Sequence, residues 1–141
     1  MKLYIVRGPA GSGKSTYCQK VLIPKIQKEF GVQVENREND KFFIDSDGNY
    51  NWNPQKLWLA IKYCCNWVKR DLEKQGVAVV SNVFSTLRSM RPYFNLAEEM
   101  HADVEVLRMR NLYGSIHGVP EETIERMKSD IQDCAGEKFV Y

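Results

Sequence analysis

A lysine and a serine close a glycine-rich stretch near the start of the chain, GPAGSGKST at 8–16. Gly8, Gly13, Lys14 and Ser15 satisfy the spacing Gly-x-x-x-x-Gly-Lys-[Ser/Thr]. Together with Gly11, these glycines open backbone conformations closed to residues with a Cβ, so successive N–H groups can turn inward on anionic oxygens. The segment made by Gly8, Pro9, Ala10, Gly11, Ser12, Gly13, Lys14, Ser15 and Thr16 is therefore expected to cradle the phosphates of a nucleotide. Lys14 brings a point charge for the β- and γ-phosphates, and the Ser15 hydroxyl is placed for a Mg²⁺ ion. From Lys14 onward the chain reads as helix, whose N-terminal dipole adds to the anion site. The apolar run KLYIV just ahead of the loop reads as a buried strand.

A second group of residues could take a proton. Transfer of a phosphoryl group to a hydroxyl benefits from a carboxylate that orients the acceptor and accepts its proton. ENREND at 35–40 offers Glu35, Glu38 and Asp40 just after a second apolar stretch. Spacing alone does not choose among them, and solvated loop charges are the ordinary fate of such residues. Other candidates are poorer. DSDGN at 45–49 reads as a turn, because its glycine comes too early for a calcium loop and the closing glutamate is absent. The two histidines, His101 and His117, make no metal set with the four cysteines. His101 reads as the end of a helix, and His117 as either a phosphate contact or an ordinary loop residue. Trp52, Trp58, Trp67, Tyr50 and Phe42 cluster on the presumed acceptor side, mostly for packing, with one or two free to stack on a base.

These groups need elements to hold them, and the chain alternates strand and helix. A helix is expected from Lys14 to about 30, kinked or split by Pro24. VQVEN (32–36) reads as a second strand, and 42–52 as a hairpin or loop excursion around an Asp-Gly step. Asn53 and Pro54 suit an N-cap and a first helical position. They open a helix with Leu57, Ile61, Cys64, Val68 and Leu72 on one face, ended by Gly76. VAVVS (77–81) is a continuous apolar run, hence a strand buried on both faces. Leu87, Met90, Phe94 and Ala97 mark a third helix, and VEVLRM (104–109) a fourth strand. Ile124, Met127, Ile131 and Cys134 mark a last helix opened by Pro120. The pattern predicts an α/β fold in three layers, a parallel sheet flanked by helices, with its ligand at the C-terminal ends of the strands.

Composition supports one domain spanning 1–141. At 141 residues and 43% hydrophobic the chain can bury a core, and it is short for two domains. A net charge of +2 is too mild to prove a nucleic-acid partner. No stretch approaches the roughly 18 apolar residues of a membrane span, and the N-terminus has no signal-peptide pattern. Cys18, Cys64, Cys65 and Cys134 show no C-x-x-C spacing, which suits packing residues in a reducing, cytoplasmic setting.

Beyond the glycine loop, three segments carry a resemblance: ENDKFFIDSDGNYNWNPQKL, VAVVSNVFSTLRSMRPYFNLA and IHGVPEETIERM. Together they resemble the small P-loop kinase/ATPase family related to the 5′-kinase domain of phage polynucleotide kinase, over nearly the whole chain. The resemblance implies a P-loop NTPase (kinase-like) fold with a mobile lid, about 110–119. It also implies ATP with Mg²⁺ as cofactor, a hydroxyl-bearing acceptor such as nucleic acid or a nucleotide, and a phage or bacterial cytoplasm. It points to Asp40 as the general base toward the acceptor hydroxyl.

Three positions depart from that family. Phe43 stands where an arginine would hold the acceptor phosphate. Asn82 replaces an acidic residue at a strand end, where it would touch Mg²⁺ through water without adding charge. Gly114 stands near the lid arginine position, which leaves Arg110 as the lid cation expected beside the transferring phosphate. The implied reaction is γ-phosphate transfer from ATP to an acceptor hydroxyl. Two alternatives stay open: a nucleoside or other small-molecule kinase, and a nucleotide-binding regulatory module with slow ATPase activity.

Overall fold

The computed structural model describes residues 1–110 and 131–141. The expected lid from 111 to 119, with Gly114 and His117, and the helix expected from Pro120 through Met127 lie outside the described residues.

Five strands form one sheet in the order β2-β3-β1-β4-β5. β1 (Lys2–Arg7) pairs in parallel with β3 (Val77–Asn82) on one side and with β4 (Asp103–Met109) on the other. These strands read as near-continuous apolar runs because helices cover both faces. Alternate residues divide the core. Leu3, Ile5, Ala78 and Val80 face α3 (Leu57–Gln75) and α4 (Leu87–Glu99), meeting Cys64, Val68, Leu72, Met90 and Tyr93. Tyr4, Val6, Val77 and Val79 face the first helical rod, meeting Cys18, Leu22, Ile23 and Ile26. The result is the expected three-layer α/β arrangement. No described helix is long and apolar enough to cross a membrane.

The first helical rod shows what Pro24 does. It runs as α1 (Lys14–Tyr17), a π segment (Cys18–Leu22) and α2 (Ile23–Phe30). A proline ring displaces the carbonyl four residues back and offers no N–H to it, and a wider turn ahead of Pro24 absorbs both effects. Asn53 caps the next helix as expected: its side chain accepts from the Gln55 N–H at 3.0 Å, and Pro54 opens a 3₁₀ turn, Pro54–Lys56, that leads into α3. Gly76 ends α3 at φ 77°. Thr86 caps α4, accepting from Ser89 N–H at 3.1 Å. The excursion after Phe42 is a small turn in which Asp45 accepts from the backbone of Asp47 and Asn49, closed by an antiparallel bridge between Ile44 and Tyr50.

Three expectations need correction. The second strand is not 32–36 but β2 (Asn36–Arg37), paired with Val79 and Val80. Val34 is buried as the alternation requires, yet it packs against the first helical rod without joining the ladder. Ile131 and Cys134 are not helical; they precede a strand with no sequence signal of its own, β5 (Lys138–Val140), which pairs with β4. Leu57 and Ile61, which helical spacing assigns to the core, stay 38% exposed, because the apolar face of α3 extends past the sheet. That overhang borders the site.

Candidate active site

Where β1 ends, the chain makes the glycine loop. Gly8 is required by crowding: a Cβ there would lie 2.6 Å from Ser12 Oγ and 2.9 Å from Met109 Cβ. Gly11 and Gly13 adopt φ of 77° and 82°, the left-handed conformations that side chains disfavour. The loop opens on a cavity of about 370 Å³ lined by Ala10, Gly11, Gly13, Lys14, Ser15 and Thr16 on one side. Glu38, Asp40, Ser81, Asn82 and Val83 line the other. Strand ends that are far apart in sequence thus bring the two chemical groups of the sequence into one cavity.

Within it, Lys14 Nζ donates to the carbonyls of Gly8 at 2.9 Å and Pro9 at 3.0 Å, folded back onto its own loop. Burial holds its ammonium below the ordinary lysine value of 10.5, with Glu38 and Asp40 pulling the other way. Incoming phosphate charge favours the protonated amine, so nucleotide binding at alkaline pH should take up a proton. Affinity should then weaken as pH rises through the lowered Lys14 pKa and stay level below it. Calorimetry in two buffers of different ionisation enthalpy reads that proton. A buffer-independent heat across the alkaline range would separate Lys14 from the phosphates.

Glu38 does more than its sequence position suggests. One carboxylate oxygen accepts from Ser15 Oγ at 2.7 Å, Ser81 Oγ at 3.1 Å and Asn36 Nδ2 at 3.1 Å. The single Ser81 proton is shared between that oxygen and Asn36 Oδ1, 2.7 Å away. Glu38 therefore ties the phosphate loop to the ends of β2 and β3. The Ser15 hydroxyl and Glu38 carboxylate form a hard-oxygen set that fits Mg²⁺, which is held typically by one or two such groups plus phosphate oxygens and water. Asn82, the residue expected at the metal through water, uses its Oδ1 to accept from the Asn39 N–H at 2.9 Å. Its Nδ2 is buried beside the Cys64 thiol.

Asp40 sits in a 3₁₀ turn, Asn39–Phe43, on the rim of the cavity. It is exposed and, among the described residues, accepts from the Tyr50 hydroxyl alone, at 3.4 Å. It also borders a second cleft of about 640 Å³, with Asn39, Asn82 and Val83, between the α3 overhang and α4. Glu35 lies elsewhere, paired with Arg37 at 2.9 Å. Arg110 follows β4; its guanidinium lies 5.1 Å over the Phe139 ring, and it does not line the phosphate cavity. Phe43 is buried with Trp52 edge-on at 4.9 Å, so this position packs instead of binding anions.

Behind the loop lies a feature with no local signal. Arg7 is fully buried, donating to the Phe84 carbonyl at 3.0 and 2.6 Å and pairing with Glu137 at 3.0 Å. Glu137 also meets Arg108 at 3.2 Å. Phe84 takes the left-handed φ of 48° there, which positions the mouth of the second cleft. Among the thiols, Cys18 is pushed up to about 12 and Cys64 to about 11 by burial, so both are packing groups, not nucleophiles. All four cysteines are free.

A parallel sheet under two helical layers, with a glycine loop between β1 and the first helix, defines a P-loop α/β protein. Solved structures of that architecture superpose on it. The Mycobacterium tuberculosis APS kinase CysC in complex with AMPPNP and APS matches with a TM-score of 0.61 at 12% identity, over 98% of this chain and 87% of that one. A gluconokinase from Sinorhizobium meliloti 1021 matches at 0.57 and 14% identity, over 99% and 81%. A chain of the Pnkp1/Rnl/Hen1 complex matches at 0.61 and 21% identity, over 89% of this chain and 38% of that one. At such identities these likenesses establish the fold. The chain belongs to the family of the uncharacterized protein PM0531 of Pasteurella multocida (strain Pm70), with 30% identity over 137 residues, covering 89% of this chain and 73% of that protein. No family model matches it.

Proposed function

We propose that this chain is an ATP-dependent kinase that passes the γ-phosphate to an acceptor hydroxyl. The observation that carries the reading is the junction of two cavities: the phosphate cavity and the second cleft share Asp40, Asn82 and Val83. A protein that only bound or hydrolysed nucleotide has no use for an acceptor-sized cleft opening onto its phosphate loop. Glu38 is committed to Ser15, Ser81 and Asn36, which leaves Asp40 as the carboxylate free to take the acceptor proton. Lys14, leaving the Gly8 and Pro9 carbonyls, neutralises charge on the β- and γ-phosphates. Mg²⁺ held at Ser15 and Glu38 supplies further charge neutralisation when bound. A recess of about 450 Å³ beside Gly13 and Thr16, walled by Tyr17, Lys20, Met109 and Tyr141, suits the nucleoside end of ATP. Arg110 stays the proposed lid cation, released from Phe139.

One structural neighbour is an APS kinase solved with AMPPNP and APS, and another is a gluconokinase, so kinases named for small-molecule acceptors occur on this fold. Burial of Phe43 in place of an anion-binding arginine favours the small-molecule alternative over a long polynucleotide. The deciding experiment is transfer of label from γ-labelled ATP to a panel of nucleosides, nucleotides, sugars and oligonucleotides. Label should appear on a hydroxyl of at least one compound. Label released solely as inorganic phosphate would make the protein an ATPase.

A further inference from the structure

The second cleft has a chemical character of its own, and its role as an acceptor site rests on the kinase proposal. Its walls are largely apolar: Trp52, Leu57 and Ile61 on one side, Val83, Phe84 and Pro92 on the other. Trp52 is 50% exposed there and braced edge-on by Phe43, which presents a fixed aromatic face to the cleft. Asn39 and Asn82 join these walls to the phosphate cavity, while Asn82 and Tyr93 turn toward the buried Cys64 thiol. Among the described residues Arg88, in the first turn of α4, is the one cation lining the cleft, and it has no ion-pair partner there. A volume of about 640 Å³ encloses a compact organic molecule. The cleft walls are mostly apolar among the described residues, which suits one compact molecule better than the row of phosphates of a nucleic-acid strand.

We propose that the acceptor is a small, flat, hydroxyl-bearing molecule carrying an anionic group, of nucleoside monophosphate size, whose anion is read by Arg88. The ring stacks on Trp52, its hydroxyl reaches Asp40 where the cleft meets the phosphate cavity, and Arg88 sets specificity for the anionic form. The bond that forms joins the acceptor oxygen to the γ-phosphorus; the bond that breaks is the β–γ bridge, with ADP leaving and the hydroxyl proton passing to Asp40.

The test compares adenosine, adenosine 3′- and 5′-monophosphate and a 20-mer oligoadenylate as acceptors, for wild type, Arg88→Met and Arg88→Lys. At least one monophosphate should exceed adenosine in kcat/KM by roughly ten- to hundredfold, the scale of one hydrogen bond to a charged group. Arg88→Met should erase that advantage through acceptor KM with ATP KM unmoved, and Arg88→Lys should restore part of it. Arg88 is exposed and unpartnered, so both variants should melt as wild type does. Adenosine matching both monophosphates, the oligonucleotide outperforming them, or an acceptor KM indifferent to Arg88 would overturn the proposal and leave the kinase standing. ATP hydrolysis with label on none of the compounds in this or the wider panel would overturn both.

Discussion

Lys14→Ala should lower phosphoryl transfer by roughly a thousandfold or more, the scale on which enzymes lose activity when a preorganised charge on the transferring group is removed. The cause is local. The side chain reaches no core residue; its contacts are the Gly8 and Pro9 carbonyls of its own loop. Losing them leaves two acceptors that water can satisfy, at a cost of about 1 kcal/mol, and the left-handed Gly11 and Gly13 keep the loop shaped. The melting temperature should therefore stay within a few degrees of wild type while labelled ATP no longer transfers. Because the amine holds the charge that develops in the transition state more tightly than it holds bound ATP, kcat should fall more than ATP affinity does. A variant that melts normally and transfers at the wild-type rate would remove the phosphate role from the residue with the strongest sequence signal in the chain.

How far the site could be read ahead of the structure depends on the range of the interactions. The glycine loop, the Asn53–Pro54 start of α3, its Gly76 end and the apolar run of β3 are written in neighbouring residues, and each stands as expected. Contacts across long stretches of chain leave no such mark. Glu38 reaches Ser15 over 23 residues and Ser81 over 43, so the sequence shows three equivalent carboxylates where the fold makes one of them a tie to the loop. Arg7 looks like a surface residue until Phe84 and Glu137, 77 and 130 residues away, enclose it. β5 is three residues long and has no partner nearby in sequence; pairing with β4 is what makes it a strand. Alternation misplaces β2 for the opposite reason: Val32 and Val34 have the right period, but ladder bonds begin only where Asn36 meets β3. Leu57 and Ile61 keep their helical spacing, and only the end of the sheet shows that they serve the cleft instead of the core.

Asp40→Asn should separate the two halves of the proposed reaction. In the proposed reaction the loop from Gly8 to Ser15 grips ATP, whereas Asp40 stands where the two cavities meet and, among the described residues, hydrogen-bonds Tyr50 alone. Asparagine keeps the size and can still accept from the Tyr50 hydroxyl, but it has no basic oxygen for the acceptor proton. Transfer should fall by roughly a hundredfold or more, the usual contribution of a general base, while ATP affinity by calorimetry changes by less than about twofold. Glu38 is the poorer base, since one of its oxygens already meets Ser15, Ser81 and Asn36 and moving the side chain would unfasten Ser15. A regulatory module makes the opposite forecast, in which the substitution alters an exposed charge and nothing that can be measured as turnover. Transfer at the wild-type rate in Asp40→Asn, with ATP bound as before, would show that the acceptor loses its proton to water and would return Asp40 to the ordinary loop carboxylates.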